Sequence, residues 1–275
     1  MDDQAAEVAS GQRFEFGKNW SRFLRSLDED RILEAERSLR EMLGREDLRG
    51  LSFLDVGSGS GLFSLAAWRL GAEVFSFDFD PQSVACTTEL KRRYDARDEA
   101  WTIREGSVLD RDFVGSLGRF DVVYSWGVLH HTGAMWEAMG NAVPCVKDGG
   151  RLFIAIYNHQ GSRTEIWRLI KRFYCSGRAG KIVVAGAMIP AMIGVFAIRD
   201  LASLKNPLKR YIEYRKDRGM SFFHDWFDWL GGYPFEAATA AEVVEFYRAK
   251  GFSPAKIETT EGSGNNQFVF ERSPD

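Results

Sequence analysis

Between residues 51 and 158, short apolar runs alternate with longer stretches of helical periodicity, and this alternation restricts the fold more than any other feature of the chain. LSFLDV (51–56), EVFSFD (73–78), WTIREG (101–106), FDVVYSW (120–126) and GGRLFIAIYN (149–158) read as strands. LFSLAAWRLG, closed by Gly71, PQSVACTTELKRRYD, with Pro81 in its first turn, and MWEAMGNAVPCV read as helices. Parallel strands need a crossover of about a dozen residues, usually a helix, so this rhythm makes a parallel sheet with helices on both faces.

The flanks extend that plan. Leu24, Leu27, Ile32, Leu39, Met42 and Leu43 recur at helical spacing within 18–43, which predicts two helices before the sheet. The rhythm stops after residue 160 and resumes at TAAEVVEFYRAKGF (239–252), a helix capped by Thr239 and ended by Gly251. AKIETTEG and NNQFVFER follow closely enough to form an antiparallel hairpin at the sheet's end. The boundaries are an N-terminal helical cap at 1–48, a core at 49–159, an insert at 160–237, and the end of the core at 238–275.

The turn after the first strand carries the chemistry. FLDVGSGSGLFSLAA (53–67) sets three alternating glycines between two buried elements, where backbone can approach a ligand and a helix begins with free N–H groups. A dinucleotide fingerprint would need its third glycine at residue 62, which is Leu62, and a phosphate-binding P-loop would need G-K-S/T, which is missing. The motif is D-x-G-x-G-x-G over 55–61. At the end of the second strand, Asp78 is an acceptor-only carboxylate suited to a ribose diol.

These residues resemble the first motifs of class I S-adenosylmethionine (SAM) dependent methyltransferases, and YSWGVLHHTG (124–133) is closest in wording to ubiquinone-biosynthesis-type O-methyltransferases. The resemblance implies a Rossmann-like, doubly wound α/β fold: a seven-stranded, mostly parallel sheet with an antiparallel last strand. It implies SAM as cofactor and S-adenosylhomocysteine as product. Asp55, Gly57, Ser58, Gly59, Gly61, Asp78 and Phe79 would line the cofactor. In this superfamily the corner after the third strand contacts adenine, often through an aspartate; here Ser107 and Val108 stand there, with Asp110 close by. Trp126, Val128 and Leu129 would form an apolar wall beside the methionine part of the cofactor.

A neutral hydroxyl acceptor also needs a base, and histidine suits that role. The chain has four, of which His130 and His131 follow the fourth strand. One of the pair is expected to be the base. His224, in SFFHDWFDWLGGYPFE, is the second candidate base or a substrate contact, held by Asp225, which is itself a candidate acceptor contact. Asn19 and Trp20 from the N-terminal helices, and Tyr233 from the aromatic stretch, are candidate acceptor contacts. The loop lacks the N/D-P-P-Y/F motif of adenine or glutamine methylation and the cysteine of cytosine C5 methylation. Cys145 precedes the fifth strand and reads as buried structure. No cluster has metal-ligand spacing.

The insert holds what is distinctive. Ile166, Ile170 and Phe173 make one face of a basic amphipathic helix flanked by Arg163, Arg168, Lys171 and Arg172. IVVAGAMIPAMIGVFAI (182–198) follows without a charge, expected to be a buried cap helix or a membrane-dipping hairpin rather than a full span. From Gln160 to Arg218 there are 13 Lys/Arg and 4 Asp/Glu, a net of +9, so the rest of the chain carries −12 of the total of −3. This surface reads either as a lid over the site, as an element attracted to anionic lipid, or as an attractor of an acidic substrate.

The expected activity is methyl transfer from SAM to a small or lipid-like acceptor at a hydroxyl oxygen. The alternatives are an enzyme acting on RNA or protein docked by the insert, and a non-catalytic SAM-binding or membrane-associated protein. The overall charge argues against general nucleic-acid binding. Three widely spaced cysteines and the acidic N-terminus MDDQAAEVAS predict a cytoplasmic protein, peripheral to the inner face of the membrane if the insert binds lipid.

Overall fold

The computed structural model describes residues 6–7, 10, 13–14, 16–97, 99–203, 230–262 and 264–274. Seven strands form one sheet in the order β3-β2-β1-β4-β5-β7-β6. β1 (Ser52–Val56), β2 (Glu73–Asp78), β3 (Trp101–Glu105), β4 (Phe120–Trp126) and β5 (Val146–Tyr157) are parallel, and β7 (Asn265–Arg272) runs antiparallel to both β5 and β6 (Phe252–Glu258). The chain order reverses between β1 and β4. Ligands of such sheets bind outside the strands' carboxyl ends at that reversal.

Strand alternation divides the core. Phe53 and Phe153 point to one face, against α2 (Glu29–Leu43), α3 (Leu62–Arg69) and α4 (Pro81–Arg93); Ile32, Leu39, Leu65 and Leu90 meet them there. Leu54, Val56, Ile154 and Ile156 point to the other face, against α5 (Arg111–Ser116), α6 (Met135–Ala142) and α9 (Ala240–Arg248), which bring Val114, Met139, Val243 and Tyr247. α1 (Gly17–Ser26) leads into α2 over the first face.

The helix boundaries follow from their caps. Asp28 accepts from Arg31 N at the start of α2, and Gly44 closes that helix in the left-handed region. Asp80 caps α4, where Pro81 occupies the first turn and needs no N–H partner. Thr239 and Glu242 form a reciprocal capping box on α9. Two details differ from the sequence reading. α5 was not expected, and its six residues are too few to show periodicity. β5 begins at Val146, three residues early, because a short 3₁₀ turn (Val143–Cys145) ends the preceding helix sooner.

The insert folds into two helices in the described residues, α7 (Ser162–Cys175) and α8 (Arg178–Ala202). α7 turns only part of its expected apolar face outward, since Ile170 packs against the cluster of Tyr174 and Leu230. Thr164, Lys171, Tyr174 and Cys175 are buried, whereas Ile166, Leu169 and Phe173 are exposed. The expectation of a buried cap helix at 182–198 is corrected: α8 runs unbroken through Pro190, and only 6% of its most apolar 18-residue window is buried.

Candidate functional site

A cleft of about 710 Å³ opens where the sheet order reverses. The turn after β1 forms its floor. Gly57 N and Ser58 N donate to Phe77 O at 2.9 and 3.1 Å, which bends the chain back over β2. Gly57 and Gly59 take positive φ, +80° and +54°. A Cβ at Gly57 would collide with Val128, and one at Gly59 would lie 3.0 Å from the Trp20 indole, so both backbones run hard against cleft walls. Gly61 serves packing instead: its added Cβ would stand 2.9 Å from Thr87 Cα on α4.

Two carboxylates are sunk beneath that turn. Asp78 Oδ2 accepts from Gly59 N and Oδ1 from Asp80 N, both at 2.9 Å. Asp55 accepts from Ser64 Oγ at 2.5 Å; Ser64 Oγ lies 2.7 Å from Ser76 Oγ, which accepts from Trp101 Nε1 at 2.8 Å. This chain of contacts pins Asp55 from behind. Burial is the main cause that raises Asp78 to a pKa of about 6 and Asp55 to about 7, the latter despite the Ser64 hydrogen bond. Beside Asp55, in register on β4, stands Tyr124, held by Phe53 and Phe63 at ring-centroid distances of 5.7 and 4.9 Å. Tyr124 lines the cleft, and its buried hydroxyl has no hydrogen-bond partner among the described residues. A buried polar atom without a partner is costly, so this floor is built for a polar ligand.

The other expected cofactor residues divide into lining and support. Phe79, Ser107, Val108 and Trp126 line the cleft, as does Ser58, whose hydroxyl is 2.9 Å from Thr87 Oγ1. Ser107 Oγ accepts from Leu109 N at 3.1 Å, and Gly106 N donates to the backbone carbonyl of Asp78 at 3.0 Å, tying the β3 corner to the end of β2. Asp110 caps α5 through Asp112 N and Phe113 N. Trp126 is anchored by Gln267 Oε1 at 3.0 Å. Leu129 lies wholly in the core behind the wall.

The histidines part company. His131 lines the cleft, with Nδ1 2.6 Å from Pro234 O. The carbonyl can only accept, so Nδ1 carries the proton and Nε2 is the ring's acceptor. Burial lowers its pKa to about 3, so the ring is neutral. His130 is fully buried and does not reach the cleft. Its ring centroid is 4.1 Å from that of Tyr157, and neither ring nitrogen has a hydrogen-bond partner among the described residues. Burial holds its pKa well below the usual histidine range. His224 and Asp225 lie outside the described residues.

Of the expected acceptor contacts, Trp20 lines the cleft, whereas Asn19 on α1 does not. Tyr233 joins a separate apolar cluster with Tyr174 and Leu230. Its carbonyl accepts from Phe14 N at 2.8 Å, and Arg13 Nη1 donates to His131 O at 3.0 Å. Gly17 N donates to Asp80 Oδ2 at 2.9 Å. The N-terminal segment is thus stitched across the cleft mouth and supplies Phe14, Phe16 and Trp20 to its apolar side.

The sequence reading missed Tyr124, Arg13, Phe16 and Lys171. Tyr124 could have been found from the register that sets it opposite Asp55. Lys171 was hidden in a basic run; it is buried, 5.0 Å from the Phe235 ring centroid, and burial lowers its pKa to about 8. Cys86, Cys145 and Cys175 are buried free thiols. Among the described residues, no three His, Cys, Asp or Glu side chains are placed to hold a metal ion.

Residues 54–152 match the family described as "Methyltransferase domain". The chain is 41% identical over 73 residues to the ribosomal protein L11 methyltransferase of Methylococcus capsulatus, covering 26% of this chain and 25% of that protein. It is 29% identical over 119 residues to the ubiquinone biosynthesis O-methyltransferase of a Methylobacterium species, covering 43% and 46%. The chain thus spans less than half the length of these curated relatives. Magnesium protoporphyrin IX methyltransferase from Synechocystis, solved with bound S-adenosylhomocysteine, shares the fold at a TM-score of 0.54 and 14% identity, over 98% of this chain and 94% of that one.

Proposed function

We propose that this chain, which carries a class I SAM-dependent methyltransferase domain, moves the methyl group of SAM to a small or lipid-like acceptor at a hydroxyl oxygen. The observation that carries the reading is the convergence of Asp55, Asp78 and the unpartnered Tyr124 hydroxyl under the glycine turn. When bound, SAM supplies an electrophilic methyl group on a positively charged sulfur.

The residues fit such a ligand. Asp78 keeps lone pairs for a diol after accepting from Gly59 and Asp80. Two carboxylates with raised pKa values, Asp55 buried and Asp78 half-buried, favour a cationic ligand, because its charge stabilises their ionised forms. Tyr124 gains the partner it lacks. Gly57 and Gly59 let backbone form the floor, and Phe79 and Val108 give flat apolar contact.

On the acceptor side, Phe14, Phe16 and Trp20 offer aromatic surface, which suits an apolar ring or chain. His131 presents Nε2 as a hydrogen-bond acceptor for the attacking hydroxyl. Alignment of acceptor and methyl, with water excluded by the N-terminal segment, supplies most of the acceleration. The hydroxyl proton is lost as its oxygen gains the methyl group; His131 on the cleft wall would accept the hydroxyl's hydrogen bond and hand the proton on to solvent.

The test has two steps. Calorimetry with SAM should show binding by the wild-type chain and a loss with Asp78→Ala. Radiolabelled methyl transfer to pools of phenolic and quinol lipids, total RNA and total protein then identifies the acceptor. Label in RNA or protein alone would transfer the reading to a macromolecular substrate; binding without transfer to any pool would leave a non-catalytic SAM-binding protein.

A further inference from the structure

We propose that α7 and α8 form a docking surface for an anionic lipid bilayer, with α8 lying in the interface and its outer face inserted into one leaflet. This inference goes beyond methyl transfer, and its test does not depend on that activity.

The apolar content of α8 is not used to build the core. Its most apolar 18-residue window has a mean hydropathy of 2.1, yet 6% of that window is buried. Ile182, Val195 and Ile198 are 73%, 64% and 69% exposed. One side of its first half does pack: Val184, Ala185, Met188 and Ile189 meet Tyr174, Cys175 and Leu230. That contact orients the helix, and the opposite side is exposed among the described residues. α7 also exposes Ile166, Leu169 and Phe173, each by at least half. Soluble chains rarely leave an apolar patch of such extent in water, and when they do it marks an interaction site.

Charge identifies the occupant. Arg172 closes α7, Arg178 and Lys181 open α8, and Arg199 ends it. The uncharged stretch 182–198 between Lys181 and Arg199 rises about 25 Å. Glu165 of α7 is paired with Arg168, and Asp200 of α8 is buried rather than on the exposed rim. An apolar face framed by cations complements a leaflet with an apolar interior and anionic headgroups. It does not complement a second copy of itself, since a two-fold pairing of α8 would set cations against cations. The exposed Arg172 of α7 and the packing of α8 against Tyr174 and Leu230 favour the in-plane arrangement over a span.

The experiment is flotation of the full chain with vesicles of phosphatidylcholine alone and of phosphatidylcholine with phosphatidylglycerol. Co-flotation is expected with the anionic vesicles, weakened at least tenfold with the neutral ones. Ile198→Asp with Val195→Asp should abolish it, and Arg178→Glu with Lys181→Glu should reduce it at least tenfold. Both variants should keep wild-type melting temperature and SAM affinity, which separates lost docking from lost folding. Absence of the wild-type chain from the anionic vesicle fraction overturns the proposal. So does a dimer in solution that Ile198→Asp dissociates, which would give the face to a second copy. Equal flotation with both vesicle types would also overturn it.

Discussion

The stretch 152–156 of β5 and the stretch 182–198 of α8 are both uncharged and apolar, yet they have opposite fates. Leu152, Phe153, Ile154, Ala155 and Ile156 of β5 are fully buried between two helical layers. α8 is longer and as apolar, but most of its side chains face outward. Composition therefore says that a segment must be covered, whereas neighbours decide by what. β5 has helices on both faces because the βαβ crossovers put them there. α8 enters after the crossovers have stopped, so in the described residues only α7 and the 230–233 segment are available to it.

The sharpest way to break that comparison is one charge in each segment. Ile154→Asp buries a carboxylate with no partner in the sheet and should cost on the order of 4 kcal/mol or more, enough to abolish a cooperative thermal transition. Ile198→Asp puts the same charge in water and should move stability by less than about 0.5 kcal/mol. Melting curves followed by circular dichroism decide it. Equal losses would mean that the α8 face is covered in solution.

Buried charge provides the second contrast, inside the site. Asp55 and Asp78 are held as carboxyls above their unfolded pKa of 3.8, at about 7 and about 6. Over that interval the folded chain binds more protons than the unfolded one. Stability in the absence of ligand should therefore be greatest below pH 4 as far as these groups are concerned, and fall as pH rises to about 7. For Asp55 the loss is on the order of 4 kcal/mol. Asp55→Asn keeps an acceptor for Ser64 and removes the titration, so its stability between pH 5 and 8 should be flatter than wild type. A cationic ligand works in the opposite sense: SAM affinity should rise from pH 5 to pH 7.5, with proton release measurable by calorimetry in buffers of different ionisation enthalpy. A wild-type stability profile no steeper than that of Asp55→Asn would remove the burial argument.

How much of this was legible follows the same division. The β-α alternation, the 55–61 motif and Asp78 could be read because local rules act there: crossover length, glycine at positive φ, a polar residue at a strand end. The fate of 182–198 could not, since exposure depends on the rest of the fold. Tyr124 reads as one more aromatic in a buried strand, and only the β1–β4 register reveals its hydroxyl beside Asp55. The adjacent pair His130–His131 looked like one feature, but a 3₁₀ turn (Leu129–His131) sends one ring to the core and the other to the cleft. The Pro234 carbonyl that sets the His131 tautomer comes from more than a hundred residues away.

Asp78 is the next test in size. Asp78→Ala should weaken SAM binding at least tenfold, or about 1.4 kcal/mol, because it removes an acceptor for the ligand and frees Gly59 N and Asp80 N. Asp110→Ala, which loses a helix cap at the cleft's edge, should lower stability by about 1 kcal/mol while affecting SAM affinity less than Asp78→Ala does. Equal affinities for the two variants would remove Asp78 from the cofactor site.

The smallest effects come from the histidine pair, and their signs differ. His131→Ala removes an acceptor from the cleft wall without touching Asp55 or Asp78. SAM affinity should hold within about twofold while turnover falls about a hundredfold, in the range for a group handling the acceptor's proton. His131→Gln, which restores a side-chain acceptor and donor but cannot take up a proton, separates the two roles. Recovery of turnover would make the residue a positioning group, and continued loss would make it the base. His130→Leu should leave turnover and affinity as they are. It exchanges two buried ring nitrogens without partners for methyl groups of similar volume, so it should raise stability by about 1 kcal/mol. A loss of turnover in His130→Leu with His131→Ala unaffected would reverse the assignment, and would mean that the wall between the two rings opens when the acceptor binds.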